Sequence, residues 1–164
     1  MRKQLGFTIM ELMIAIVVLA ILTTLAVPSF RTFVQNNRLA AQANEMVATF
    51  QLARSEALKR GYNVQVCSSN NGATCGGGWK DGWIAIADPG GANEELLRVW
   101  PTPGNDFEFS PTAGTVGFEA KGFSSSAAQQ QFNVTLEGCS TDNARNVLIE
   151  RTGRVASERV DCPT

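Results

Sequence analysis

The chain has 164 residues, a formal net charge of −1, and 44% hydrophobic against 18% charged residues. This length suits one domain with an appendage. The near-neutral charge excludes a globally basic surface that would attract nucleic acid. The sequence contains no histidine, so histidine-dependent nucleophilic catalysis and histidine-ligated metal sites are excluded. Residues 7–30 are almost wholly apolar, and the remainder has the composition of a soluble chain.

The apolar segment 7–30 has the length of a membrane-spanning helix, about 36 Å at about 1.5 Å per residue. A secretory signal cleaved near Ala26 and a plain one-pass anchor are the simpler alternatives. Neither explains Glu11, a carboxylate one turn inside the segment. A charge at the centre of a membrane helix costs about 2.5–3.5 kcal/mol on insertion scales. Glu11 therefore needs a partner, and no cationic side chain lies between Lys3 and Arg31.

Residues 6–12, Gly-Phe-Thr-Ile-Met-Glu-Leu, resemble the processing signal of type IV pilins and type II secretion pseudopilins. The shared features are a short basic leader ending in glycine, a phenylalanine, a glutamate shortly after it, and an apolar helix. The resemblance implies that residues 1–6 are a leader which prepilin peptidase removes between Gly6 and Phe7, and that Phe7 becomes N-methylated. It also implies that Glu11 serves subunit assembly by pairing with such an amino terminus.

The helical pattern continues beyond the membrane segment. Residues 31–61 contain no proline and no glycine before Gly61, and their apolar residues recur at helical spacing. Because glycine commonly follows the last helical turn, one helix is predicted over residues 7–60, about 80 Å long at about 1.5 Å per residue. Its second half is amphipathic and is expected to pack against a domain. Pro28 predicts a kink or local melting, or it is a proline tolerated in a membrane helix.

After Gly61 the apolar residues alternate with the two-residue period of strands. Residues 62–164 are therefore expected to form an antiparallel β head, as a sheet or a sandwich, packed against the second half of the helix. The fold class is α+β, and no second helix is predicted. The strand candidates are residues 62–66, 83–87, 95–100, 115–119, 131–136, 146–150 and 154–157. The pilin fold that the resemblance implies has this organisation.

Residues 79–84, Trp-Lys-Asp-Gly-Trp-Ile, predict a hairpin turn at Asp81-Gly82 between core aromatic residues. They also resemble the GspH/FimT subfamily, whose heads carry Trp-x-x-Gly-Trp after a loop that contains cysteine. Residues 51–57, Gln-Leu-Ala-Arg-Ser-Glu-Ala, resemble the helix end of the same subfamily. The resemblance covers residues 1–100 and becomes loose after that point.

Four cysteines, Cys67, Cys75, Cys139 and Cys162, admit a zinc site, free thiols or two disulfides. Their spacing lacks the closely spaced pair that is typical of zinc sites. Two disulfides fit a head exported to an oxidising space. Of the three possible connectivities we expect the local one, Cys67–Cys75 and Cys139–Cys162. The first bond would close a polar loop, and the second would hold the C-terminal segment.

The sequence contains no combination of residues that indicates an enzyme. Asp81 and Asp88 could form an acid pair, but both stand in turn contexts. Residues 76–78, Gly-Gly-Gly, lack the strand and helix that flank a phosphate-binding loop. The chain is therefore predicted not to be an enzyme, and no cofactor or metal is predicted.

DNA binding is the alternative that the C-terminal arginines raise. Some FimT-type minor pilins of competent bacteria bind DNA through a Gly-Arg-x-Arg stretch, and residues 153–159 read Gly-Arg-Val-Ala-Ser-Glu-Arg here. The second arginine is displaced and a glutamate intervenes. From Cys139 onward, arginines and acidic residues are equal in number, whereas phosphate binding needs unbalanced cations. DNA contact through Arg151, Arg154 and Arg159 is therefore kept as an alternative and is not favoured.

The resemblance implies a minor pilin that prepilin peptidase processes in the bacterial inner membrane. It would cross that membrane once with its head in the periplasm, and then join other minor pilins and the major pilin. Its expected role is to initiate assembly of a type IV pilus and to remain at the tip. The alternative is the H-type minor pseudopilin of a type II secretion system. A second alternative is a DNA-binding minor pilin for natural transformation.

Overall fold

The computed structural model describes residues 8–139 and 144–162. The chain divides into two compact units, Met1–Asn37 and Arg38–Thr164. One long helix followed by antiparallel strands confirms the predicted α+β class. The elements are α1 (Ile9–Arg60), β1 (Val64–Ser68), a 3₁₀ turn (Trp79–Asp81), β2 (Trp83–Ala87), β3 (Glu95–Trp100), β4 (Phe107–Pro111), β5 (Thr115–Phe118), β6 (Gln130–Leu136), β7 (Ala144–Ile149) and β8 (Val155–Val160).

The second half of α1 packs one face against the strands. Met46, Phe50, Ala53 and Ala57 recur every three or four residues, so they share one side of the helix, and each is fully buried. The helix ends where the sequence predicts. The N–H of Gly61 donates to the carbonyl of Ala57 at 3.0 Å, and its φ of 72° is the left-handed conformation that glycine adopts without a steric penalty.

The strands form two antiparallel sheets of four strands each. Their orders are β3-β2-β1-β5 and β4-β6-β7-β8. In the first sheet Val66 pairs with Ala85 and Val116. In the second, Phe132 pairs with Val147. All five side chains are at most 1% exposed, because alternate residues of each strand point to the core.

Two local predictions are wrong. Strand β4, Phe107–Pro111, is absent from the predicted set, because a proline within a short run argues against a strand; Pro111 is tolerated at the edge of a sheet. Asp81-Gly82 is not a hairpin turn. It ends the 3₁₀ turn, with the N–H of Gly82 directed to the carbonyl of Trp79, and leads into β2. A Cβ on Gly82 would lie 2.6 Å from the carbonyl oxygen of Trp100, so this turn needs glycine.

The core is aromatic where the two sheets meet α1. The ring centroid of Phe50 lies 5.2 Å from that of Phe132 and 6.4 Å from that of Trp79. Trp83 is buried and its Nε1–H donates to the hydroxyl of Thr49 at 3.2 Å. This hydrogen bond gives the polar end of a buried indole a partner. Because such rings bury large apolar areas, this cluster supplies much of the hydrophobic stabilisation of the head.

A salt bridge marks the start of the second unit. The guanidinium of Arg38 donates to both carboxylate oxygens of Asp106, at 2.6 and 3.0 Å, and lies 5.2 Å from the ring centroid of Phe107. These hydrogen bonds hold the pKa of Asp106 below its ordinary value. At the other end of the helix, Arg60 bonds to Glu56 and Glu95. The bond from Arg60 is the main cause of a lowered pKa at Glu56.

Candidate functional site

The first part of α1 is apolar, and its side chains are not buried by other described residues of its own unit. Its most apolar window has a mean hydropathy of 2.5, and 0% of that window is buried. Ile9 and Leu25, for example, are 82% and 70% exposed. A helix that is hydrophobic on all sides needs apolar surroundings. By length and composition this helix can cross a membrane.

Thr8 caps the start of α1, a role that the sequence analysis missed. Its hydroxyl oxygen accepts a hydrogen bond from the backbone N–H of Glu11 at 3.2 Å. Thr8-Ile9-Met10-Glu11 matches the Thr-x-x-Glu signature of a capping box, which is the signal that could have revealed it. Glu11 lies in the first turn of the helix, where the helix dipole favours a negative charge. Among the described residues no salt bridge reaches its carboxylate.

Two threonine hydroxyls in the apolar segment form hydrogen bonds within the helix itself. The hydroxyls of Thr23 and Thr24 donate to backbone carbonyls three residues earlier, at 2.9 and 2.7 Å, so they can stand in an apolar environment. Helix α1 is continuous through Pro28, and local melting at this position is therefore not observed. A kink at Pro28 stays a prediction. The predicted cleavage position, Gly6 and Phe7, lies outside the described residues.

The four cysteines are joined in the pairs that the sequence predicts. Cys67 and Cys75 have their Cα atoms 5.5 Å apart, and Cys139 and Cys162 have theirs 5.9 Å apart. The first bond closes a loop in which the side-chain oxygen of Asn71 accepts two backbone N–H groups. The second ties the segment after β6 to the segment after β8.

The structure separates the arginines that were considered as DNA contacts. Arg151 and Arg154 lie in the β7–β8 turn, and Nη1 of Arg154 lies 3.7 Å from Oε1 of Glu150. Arg159 lies about 16 Å further along β8, at about 3.3 Å per residue. Its neighbour is Arg145, directly opposite on β7. Two like charges at such a position repel each other, and neither forms a salt bridge with another residue that the structure describes.

Arg54 joins α1 to two loops, a role that the sequence did not reveal. Its Nε–H donates to the carbonyl of Gly122 at 3.0 Å, and its Nη2–H donates to that of Thr152 at 3.2 Å. Gly153 completes this junction with a φ of 78°. A Cβ there would lie 2.0 Å from the carbonyl oxygen of Gly122. The junction therefore fixes the turn that carries Arg151 and Arg154.

Two family models match the chain. A model of the prokaryotic N-terminal methylation motif matches residues 1–27, which include Gly6, Phe7 and Glu11. A model described as type II transport protein GspH matches residues 42–153, from the second half of α1 to the β7–β8 turn. The chain belongs to the GspH family. It is therefore a member of the minor pilins and pseudopilins.

Two crystal structures of the type IV minor pilin FimU from Pseudomonas aeruginosa strain PAO1 share the fold of this GspH-family chain. One superposes with a TM-score of 0.61 at 22% identity, over 77% of this chain and 92% of FimU. The other gives 0.59 at 23% identity, over 73% and 92%. At this level of identity the likeness establishes the fold, a long N-terminal helix packed on antiparallel sheets.

The GspH family consists of structural subunits, and the two candidate acids have structural roles here. Asp81 accepts the backbone N–H of Gly78 at 2.9 Å. Asp88 accepts the backbone N–H of Asn93 at 3.0 Å. Both carboxylates therefore order their own turns. In residues 8–139 and 144–162 no group of three or more potential metal ligands comes together.

Proposed function

We propose that this GspH-family chain is a minor pilin that helps to initiate a type IV pilus and stands near its tip. The observation that carries the proposal is Glu11. It is a carboxylate in the first turn of an otherwise apolar, uncovered helix, without a salt-bridge partner among the described residues. The match of residues 1–27 to a methylation motif supports processing by prepilin peptidase. The two disulfides favour a head in the periplasm.

The H-type minor pseudopilin of a type II secretion system is the first alternative. The GspH description of the family model favours it. The likeness to FimU, which is a type IV minor pilin, favours the pilus. Both assemblies would use the same leader, helix and head, so an experiment must separate them by asking which filament contains the chain.

Cleavage between Gly6 and Phe7 would create the missing partner of Glu11. It frees an amine on Phe7, which N-methylation leaves positively charged, one helical turn from the carboxylate. In the apolar interior of a filament this amine would meet Glu11 of a neighbouring subunit. Breaking a buried ion pair by removing one partner costs about 3–5 kcal/mol, so the pair would decide whether a subunit joins.

Replacing Glu11 tests this role. We expect Glu11→Ala to insert into the membrane and to be cleaved, because losing a charge eases insertion, yet to be recovered poorly in sheared pili. Glu11→Gln is the matched control, since it keeps a residue that suits the capping box but lacks the charge. It should fail in the same way.

The measurement compares processing on a gel with the amount of subunit in sheared pili. Gly6→Asp, which places a charge at the cleavage position, serves as the unprocessed reference. Incorporation of Glu11→Ala at the wild-type level would show that the carboxylate has no role in assembly. If the amount of subunit in sheared pili falls in Glu11→Ala but not in Glu11→Gln, Glu11 acts through the helix cap instead of through its charge. Recovery with a secretion pseudopilus rather than with pili would favour the alternative.

DNA binding is a second candidate function, which one observation favours. The facing pair Arg145 and Arg159 is a local concentration of positive charge. Arg154, in contrast, is close to Glu150. We expect only weak duplex binding by the full chain in detergent at physiological salt. A sub-micromolar gel shift that disappears in Arg159→Ala but persists in Arg154→Ala would instead favour DNA uptake.

A further inference from the structure

Strand β4 has an unpaired outer edge within the described part of the chain. It is the terminal strand of its sheet. The carbonyl of Asp106 accepts the N–H of Glu137, which directly follows β6, and the N–H of Thr112 donates to the carbonyl of Gln131 in β6. Because antiparallel bonding alternates, residues 108 and 110 also bond towards β6. The N–H and C=O of Phe109 therefore point away from the sheet, and among the described residues neither forms a further backbone bond.

A groove with a volume of about 370 Å³ lies along this edge. Gly78, Trp79 and Lys80 line one wall, and residues 107–110 of β4 line the other. The walls thus combine aromatic rings with the exposed main chain of a strand. A strand edge next to apolar side chains is the usual setting for the addition of an extended peptide.

Trp79 adds a second unsatisfied group beside the groove. The residue is only 6% exposed, and its Nε1–H has no acceptor among the described residues. A buried donor without a partner is costly. This nitrogen has almost no accessible surface, so an occupant of the groove would reach the main chain of Phe109 and not the indole N–H.

The part of the β4 edge that remains free for pairing is short, and charged side chains lie beside it. At one end the N–H of Phe107 bonds to Gly104, and at the other Pro111 has no N–H to offer. Room remains for about three residues of an added strand. Lys80 and Glu108 are exposed, and neither forms a salt bridge within residues 8–139 and 144–162. These two charges suit a partner segment with an acidic residue to face Lys80 and a basic residue to face Glu108, on either side of an apolar residue.

We propose that this groove binds an extended segment of a neighbouring pilin-type subunit, which adds to β4 as a short fifth strand. The inference rests on the proposed function, since only a filament subunit would have such neighbours. Main-chain bonds to Phe109 would provide affinity, and Lys80, Glu108 and the aromatic wall would provide specificity.

Gly78 allows the groove to be filled without straining the fold. Its φ is −99°, and a Cβ there would have no atom closer than 3.5 Å. We expect Gly78→Phe to fold normally and to block the groove. Gly114→Phe is the matched control, because Gly114 has open space around it, an unstrained φ, and a place outside the groove.

The binding experiment uses the full chain in detergent and, one at a time, the other full-length pilin-type subunits of the same cell. Wild type and Gly114→Phe should bind one of them. Gly78→Phe should bind that subunit at least about tenfold more weakly, as expected when a central pocket is blocked. Lys80→Glu should weaken binding to a smaller extent. Equal binding by Gly78→Phe and wild type would overturn the proposal.

Hydrogen exchange separates strand addition from side-chain docking. The amide of Phe109 should exchange at least about tenfold more slowly when the partner subunit is added, because only an added strand bonds to it. An unchanged rate would overturn the proposal and leave the Glu11 result intact. Protection that depends on the concentration of this chain alone would show a second copy as the occupant. If wild type binds none of the subunits, the groove proposal fails, and the Glu11 variants decide whether the proposed function fails with it.

Discussion

The two stretches of helix α1 have the same backbone structure but differ in how their side chains are buried. From Ile9 to Asn37 the helix is rich in leucine, isoleucine and valine, yet no described residue in that stretch is buried. From Leu39 to Arg60 it buries eight side chains, and several of them are only alanine. Burial in this molecule therefore follows the pattern of the sequence rather than its total hydrophobicity. The side chains of the first stretch need apolar surroundings that the described part of the chain does not provide, whereas the second stretch is buried against the strands of its own unit.

The largest expected contrast comes from one truncation in each stretch. Phe50→Ala removes a ring that is fully buried among Phe132 and Trp79, and it should lower the free energy of unfolding of the head by about 3–5 kcal/mol. Leu19→Ala, at a side chain that is 60% exposed, should leave it unchanged. Denaturant titration of the full chain in detergent, followed by tryptophan fluorescence, measures both. An equal loss of unfolding free energy in the two variants would refute the distinction between an exposed and a buried stretch of the helix.

The disulfides sharpen the comparison, because both lie in the self-sufficient unit. Mass spectrometry without reductant should find no free thiol and should recover the pairs Cys67–Cys75 and Cys139–Cys162. Chain entropy predicts that each bond contributes about 3 kcal/mol, the second about 1 kcal/mol more than the first because it closes the longer loop. Serine pairs at the two sites test this order by denaturant titration. A Cys75–Cys139 link in the oxidised protein would contradict the pairing.

The sequence reveals the features of this fold that depend on neighbours along the chain. Helix periodicity, the glycine after Arg60 and the alternation of most strands are local signals, and the structure agrees with them. The helix cap at Thr8 is local as well and could have been found. The sequence indicates strand β4 only weakly, because Pro111 argues against a strand. The proline is compatible with β4 only because β4 lies at the edge of its sheet.

The features that could not be predicted depend on contacts between distant residues. Gly153 needs to be glycine because Gly122 and Arg54 approach it, and they lie far away in sequence. Arg145 and Arg159 become neighbours only through the register of β7 and β8. The groove beside β4 exists because a turn from the first sheet comes next to the edge of the second. Sequence patterns among near neighbours carry no information about contacts between residues that are far apart in the chain.

The smallest expected effect concerns the Arg38–Asp106 pair, where the self-sufficient part of α1 begins. Both side chains are nearly half exposed, 46% and 43%, so the pair should contribute no more than the roughly 0.2–1 kcal/mol of a surface pair. Asp106→Asn should reduce stability by that amount at neutral pH. Glu108→Gln, which removes an exposed carboxylate without a salt bridge in the described part of the chain, is the matched control and should change little.

The pH dependence of this pair identifies its cause. Arg38 lowers the pKa of Asp106 in the folded chain, whereas the unfolded chain has the ordinary value of about 3.9. The unfolded state therefore binds a proton more readily, and the stabilisation is complete above about pH 3.9. It should decline as the pH falls through the lower folded pKa, until wild type and Asp106→Asn have the same stability. Denaturant titrations of both proteins between pH 7 and pH 2 measure this convergence. A difference that persists at the acidic end would show that Asp106 acts through packing or neutral hydrogen bonds rather than through its charge.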